Sequence, residues 1–305
     1  MMNSAAFQPY SNEAQLLTPM RRIGVMSSPQ LGLFALDEPL SRVPERIGVA
    51  TIGIREKAKA LNDTSDYLDS DYSLNPYVGC GFGCSYCYAA FFVPDEDRKK
   101  EWGKWIDVKI NSVREILRKR DLRGKKIFMS SATDPYQPLE RRVQLTRGIV
   151  EALCDPARQP DLTVMTRSPI VTRDIDLFKQ FEKIQVNMSI TTDSDAIRKR
   201  FEPSCASIEQ RIEAISEVKA AGIRIGIGLS PLLPLEDPEK FAKRIAAIEP
   251  DVYWASTFNI SHGHFTGSTR SPALTLAREY DWNAIRCKEA IRVMSKYLPK
   301  LARFA

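Results

Sequence analysis

Between Tyr72 and Phe258 the chain switches repeatedly between two hydrophobic periods. Short runs rich in β-branched, aromatic and other apolar residues ("SLNPYVG", "KIFMSS", "LTVMT", "IQVNMSI", "IRIGIGLS" and "VYWASTF") read as strands. Between them lie stretches with helical spacing: "VREILRKR", "QLTRGIVEAL", "TRDIDLFKQF", "SIEQRIEAISEVKAA" and "PEKFAKRIAAI". A last amphipathic stretch, "NAIRCKEAIRVMSKYL", places Ala284, Cys287, Ile291, Met294 and Leu298 at alternating steps of three and four. Strand–helix alternation predicts parallel strands joined by right-handed crossovers. Six such units predict an α/β fold, a partial (β/α)6 TIM-type barrel in which the chemistry sits at the C-terminal ends of the strands.

The residues before Asp71 follow another pattern, with scattered prolines, many polar positions and an acidic, turn-prone connector, "KALNDTSDYLDSD". They predict an irregular, partly ordered N-terminal extension over residues 1–70, with a strand at "RIGVATIGI". The core barrel is expected over 71–260, and a closing loop and helix packed on it over 261–305.

At 305 residues, 43% of them hydrophobic, the chain can bury a large core without covalent staples. No apolar run is long enough to span a bilayer, and the N-terminus "MMNSAAFQPYSNEAQ" lacks the basic-then-apolar layout of a secretory signal. A cytoplasmic protein with no membrane partner is the expectation, and that compartment disfavours disulfides. The net charge is +6, with Lys109, Arg114, Arg118, Lys119, Arg120, Arg123, Lys125 and Lys126 crowded into "VKINSVREILRKRDLRGKK". Such a stretch is either a phosphate-binding face or the solvated side of a helix.

Half of the six cysteines fall in "NPYVGCGFGCSYCYA": Cys80, Cys84 and Cys87, directly after the first predicted strand. A structural zinc usually takes four ligands, often as two spaced pairs. Here there are three, and the only histidines, His262 and His264, lie far downstream. A [4Fe–4S] cubane fits better: three thiolates hold three irons and leave the fourth without a protein ligand. The C-x3-C-x2-C spacing lets one short loop wrap the cluster, and Gly81 and Gly83 remove side chains where backbone must come close.

This motif, in this place, resembles the radical S-adenosylmethionine (SAM) superfamily. The further blocks "SSATDPYQPLE", "TVMTRSP", "VNMSITT" and "RFEPSCASIEQRIEAISEVKAAGI" extend the likeness, over about Ser73 to Phe258, to spore photoproduct lyase-like (DNA repair photolyase-like) proteins. The resemblance implies that Cys80, Cys84 and Cys87 ligate a [4Fe–4S] cluster. Its open iron would bind SAM, and an electron from a reductant such as flavodoxin or ferredoxin would split SAM to a 5′-deoxyadenosyl radical. It implies contacts to SAM from Thr133 and Asp134, from the basic Arg167 and from Ser189, with Glu202 and Arg211 in a shared block. Tyr86 and Tyr88 match tyrosines that help relay hydrogen, and Tyr86 also adjoins the cofactor. Each residue has a plainer use: the tyrosines as packing beside a cluster, Asp134-Pro135 as a turn, Glu202 as a brace for its loop.

One position departs from the lyase pattern. Where the lyase keeps a hydrogen-donating cysteine at the end of the second strand, this chain has Ser131, whose O–H bond is too strong for that step. Cys205, in "EPSC" after the fourth strand, is the nearest substitute donor by topology, although a free cysteine is most often a small buried hydrophobe. His262, His264 and Arg270, in "FNISHGHFTGSTR", are candidates for the substrate side or for a polar loop. Three functions follow: radical SAM chemistry on a nucleic-acid lesion, the same chemistry on an RNA base, peptide or metabolite, and iron–sulfur binding or electron transfer without SAM cleavage.

Overall fold

The computed structural model describes residues 42–64, 68–259, 268–299 and 301–303. Its strands are β1 (Arg46–Ile47), β2 (Ala50–Ile54), β3 (Leu61–Asp63), β4 (Tyr72–Leu74), β5 (Tyr77–Gly79), β6 (Trp105–Val108), β7 (Lys126–Met129), β8 (Asp161–Thr166), β9 (Ile184–Ser189), β10 (Arg224–Leu229), β11 (Val252–Ala255) and β12 (Ala302–Arg303). The helices are α1 (Glu96–Lys100), α2 (Ser112–Arg118), α3 (Glu140–Val143), α4 (Leu145–Leu153), α5 (Ile175–Phe178), α6 (Asp195–Phe201), α7 (Ile208–Ala220), α8 (Pro238–Ala246), α9 (Ser271–Glu279) and α10 (Ala284–Met294).

Strands β4 and β7 to β11 run parallel and side by side in chain order, as six consecutive strand–helix units require. Strand β12 adds in parallel beside β11, and β3 adds antiparallel beside β4, so the sheet has two ends. On β8 the pleat puts Leu162, Val164 and Thr166 fully inside while Asp161, Thr163 and Met165 are half-buried. The helices bury the apolar stripe that the sequence spacing predicts. On α7 this is Ile208, Ile212, Ile215 and Val218, and on α10 Cys287, Ile291 and Met294.

Three predicted elements take a different form. "SLNPYVG" is two strands in two sheets, because Pro76 has no N–H for a ladder and breaks the run. Strand β4 joins the large sheet. Strand β5 turns away to pair antiparallel with β6 in a second sheet of order β1-β2-β6-β5. The strand predicted at "RIGVATIGI" is a tight antiparallel hairpin, β1–β2, and β2 pairs parallel with β6. Residues of the predicted extension therefore help build the sheet that carries the cysteines. "TRDIDLFKQF" begins as a 3-10 turn, Pro169–Asp174, before α5; here the Asp174 carboxylate is drawn inward by Tyr136, Arg147 and Arg173.

Much of the basic stretch is a paired, solvated surface. Lys119 pairs with Asp121, Arg123 with Glu182, Lys125 with Asp71 and Lys126 with Asp69. Lys109 has a different setting. It is buried, and its Nζ donates to the Lys59 carbonyl at 2.9 Å. Burial lowers its pKa from 10.5 to about 8, against an opposing pull from Glu115. Between those two values the unfolded chain binds more protons than the folded one, so stability should rise with pH across that window. Urea midpoints taken from pH 8 to 10 are expected to climb for the native chain and to climb less for Lys109→Met.

Candidate functional site

The cysteine loop leaves β5 at Gly79 and is held at its first turn by the Gln137 side chain, whose Oε1 accepts from Gly81 N at 2.8 Å. Gly83 adopts a left-handed φ of +61° and lies against Gly103, itself at φ +99°. A β-carbon on Gly103 would stand 2.7 Å from the Gly83 α-carbon, so both glycines are required for the two backbones to meet. Cys80 and Cys84 are buried and Cys87 half-buried, in an apolar cluster with Phe82, Tyr86, Trp105, Phe201 and Cys205 that is separate from the main core.

The turn after α6 forms the opposite wall. Ser85 N donates to Phe201 O at 2.8 Å, and Ser204 N to Phe82 O at 3.4 Å, so two backbone bonds dock this turn on the cysteine loop. Within it Glu202 is completely buried. Its carboxylate accepts from Tyr86 OH, from Thr191 Oγ1 at 2.8 Å and from the Arg211 guanidinium, which is also fully buried. Arg211 further donates to the carbonyls of Ser189 and Ala206, both at 3.1 Å. Burial pushes the Glu202 carboxyl up, but Arg211 and Arg167 outweigh it and hold it down at about 2.

Arg167, just past β8, lies 3.6 Å from Glu202 and over the Tyr86 ring at 5.6 Å. Its buried Nε has no hydrogen-bond partner. Burial pushes the Cys80 thiol well up and the Cys87 thiol to about 11. Cys84 moves the other way: its contact with Cys205, at 3.7 Å between sulfurs, and the charge of Arg167 lower it against burial. Among the described residues no three His, Cys, Asp or Glu side chains form a preformed cage for a single ion. The fit therefore rests on three thiols in an apolar pocket within the field of the Arg167 guanidinium, a donor set suited to a thiolate-held, negatively charged iron–sulfur group.

The remaining predicted residues fall at the same end of the sheet but in distinct settings. Thr133 Oγ1 donates to Gly79 O at 2.7 Å and so ties the loop after β7 to the start of the cysteine loop. Asp134 is buried and accepts from Tyr136 N, Thr166 Oγ1 and Arg167 N at 2.7–2.9 Å, bracing the loops after β7 and β8. Ser189 Oγ lies 3.6 Å from Met165 Sδ. Tyr88 OH donates to the Ser131 carbonyl, and Ser131 Oγ accepts from Asn75 Nδ2 at 3.2 Å. Tyr88 and Ser131 thus meet each other, while Cys205 meets Cys84. Arg270 donates to Lys99 O at 3.2 Å, with its charge near Cys87. His262 and His264 lie outside the described residues.

Sequence reasoning passed over Gln137, Asn75, Thr191 and Gly103, whose roles are contacts distant in the chain. It also passed over Ser130, at the end of β7, which has φ +77° and a buried hydroxyl without a partner. A cavity of about 710 Å3 opens at the other end of the sheet, lined by Lys126, Phe128, Thr163, Gln185 and Arg224. It holds none of the thiols, and functional groups of parallel βα folds gather at the strand C-termini, so the cysteine end is the site.

The radical SAM superfamily model matches residues 74–247, and the chain belongs to that superfamily. It is 35% identical over 181 residues to an uncharacterized protein of Methanocaldococcus jannaschii, covering 59% of this chain and 68% of that one. It is 26% identical over 226 residues to spore photoproduct lyase of Bacillus subtilis, covering 70% of this chain and 62% of the lyase. Among solved structures, a spore photoproduct lyase mutant with bound AdoMet and dinucleoside spore photoproduct superposes with a TM-score of 0.56 at 15% identity, over 93% of this chain and 87% of that one. That likeness is one of fold.

Replacing Glu202 by Gln leaves Arg211 and Arg167 buried without their anion. The change is expected to destabilise the fold by about 3–5 kcal/mol in urea unfolding. Because the Glu202 pKa is depressed in the folded state, its contribution is present above pH 4.5 and lost as pH falls from there toward 2. The Glu202→Gln variant should lack that part of the acid limb.

Proposed function

We propose that this chain is an enzyme that holds a [4Fe–4S] cluster on Cys80, Cys84 and Cys87 and cleaves SAM reductively, with a nucleic-acid base as its substrate. The observation that carries the reading is the joint position of the three motif thiols in one apolar cluster at the strand C-termini, with the charge of Arg167, which makes no hydrogen bond through Nε, acting on Cys84. When bound, the cluster and SAM supply a one-electron source and a 5′-deoxyadenosyl radical for hydrogen abstraction.

The chain's own residues bind, orient and exclude water. Arg167, whose charge acts on Cys84 and whose Nε makes no hydrogen bond, suits a carboxylate such as that of SAM. Tyr86, fixed on Glu202, packs with Phe82 and Trp105 in the buried apolar cluster that holds the cysteines and keeps water from them. Thr133 and Asp134 hold the loops that carry the cysteines and Arg167 in register. A protein such as flavodoxin or ferredoxin is the proposed reductant.

The nucleic-acid substrate is supported by the relationship to spore photoproduct lyase. A second reading, the same chemistry on another substrate, is favoured by Ser131. Its hydroxyl is engaged by Asn75, and no thiol stands at that position to return a hydrogen atom to a product radical.

Anaerobically reconstituted protein, reduced with dithionite and given SAM, is expected to form 5′-deoxyadenosine by mass spectrometry. Cys84→Ala should fall to background. A fully loaded, reducible wild-type chain that forms none, with dinucleoside spore photoproduct and with RNA present, would leave iron–sulfur binding or electron transfer as the function. Turnover of the dinucleoside separates the first substrate reading from the second.

A further inference from the structure

The sulfurs of Cys84 and Cys205 lie 3.7 Å apart inside the protein, although 121 positions separate them in the chain. In such a pair one thiol donates and the other accepts. A thiol that ligates iron has lost its proton. If Cys84 is a ligand, the hydrogen in this contact belongs to Cys205. Resting on the cluster assignment above, we propose that Cys205 is a positioning residue that donates its S–H to the Cys84 sulfur and raises the reduction potential of the cluster.

The fold holds Cys205 where this contact needs it. Its N–H donates to Glu202 O at 3.1 Å, and its carbonyl accepts from Arg198 Nη1 at 2.8 Å. Arg198 is buried and is itself fixed to Asp195 at 3.0 Å. Two residues on, Ser207 starts α7 with a reciprocal cap: its Oγ accepts from Gln210 N, and the Gln210 side chain accepts from Ser207 N. The turn is thus pinned at both ends. It is docked on the cysteine loop through Ser85 and Ser204, so the Cys205 side chain has little freedom to leave Cys84.

A hydrogen bond to a ligand sulfur draws electron density from it and favours the cluster state with one more electron, which is one of the levers that set iron–sulfur potentials. No proton leaves Cys205 in this role. The single electron comes from the external reductant, and the S–H only adjusts how readily it is accepted.

The test is a redox titration, followed by electron paramagnetic resonance, of reconstituted wild-type, Cys205→Ala and Cys205→Ser proteins. Iron and sulfide content are measured beside each titration. With equal loading, Cys205→Ala is expected to lower the reduced-to-oxidised ratio at fixed potential by about threefold to tenfold. For one electron that is a shift of about 28–59 mV to the negative. Cys205→Ser, which keeps a donor of similar size, should not fall below wild type, and either variant alone decides the question. An unmoved midpoint in Cys205→Ala, or a clearly negative one in Cys205→Ser, would overturn the role of Cys205 while leaving the cluster in place. Loss of iron from both variants would make Cys205 a ligand rather than a donor and overturn the proposal in that way. A wild-type chain that takes up no iron and sulfide would overturn the cluster assignment itself.

Discussion

The buried carboxylate of Glu202 is the constraint from which the rest of the site follows. A charge with no exposure must be met by other groups or the fold cannot keep it. Here the partners come from four separate segments: Arg211 on α7, Thr191 after β9, Tyr86 in the cysteine loop and, at longer range, Arg167 after β8. Meeting that single charge fixes the distances among three loops and a helix. Apolar packing alone would tolerate sliding of these loops by a few tenths of an ångström. Hydrogen bonds to a fixed carboxylate tolerate much less, which suits a site whose parts must face one small group.

The cysteine loop lies between two sheets. It leaves β5, which belongs to the small sheet, and it is pinned by Gln137, Thr133 and the turn after α6, which belong to the large one. Pro76 makes this possible, since it ends β4 and lets the chain cross over. The close meeting of Gly83 and Gly103 then brings the segment before β6 against the loop from the small-sheet side. The thiols are held from both directions.

Much of this was legible beforehand. The six parallel strands and most helices follow from periodicity, because each strand buries one face under a helix and the pattern records it. The cysteines and Arg167 were legible as motif residues after strand ends, and Glu202 and Arg211 as members of a shared block, but their mutual contacts were not. The Tyr86–Glu202 bond joins residues 116 positions apart, and no local pattern encodes such a pair. The split of "SLNPYVG" was marked by its proline, whereas the pairing of β2 with β6 depended on a partner strand more than 50 residues away. Asp134 was legible as a strand-end residue, but not its three protein donors, which brace two loops through the backbone of Arg167 and are invisible in composition.

The turn that walls the thiol pocket has a consequence for biogenesis. Cys80, Cys84 and Cys87 leave the ribosome more than a hundred residues before Glu202, Cys205 and Arg211. Through that interval of synthesis the three thiols have no carboxylate-anchored wall beside them and remain open to solvent and oxidants. Loading of the proposed cluster on a nascent chain would have to wait for the second half of the sheet, or be guarded by another protein until α7 is complete.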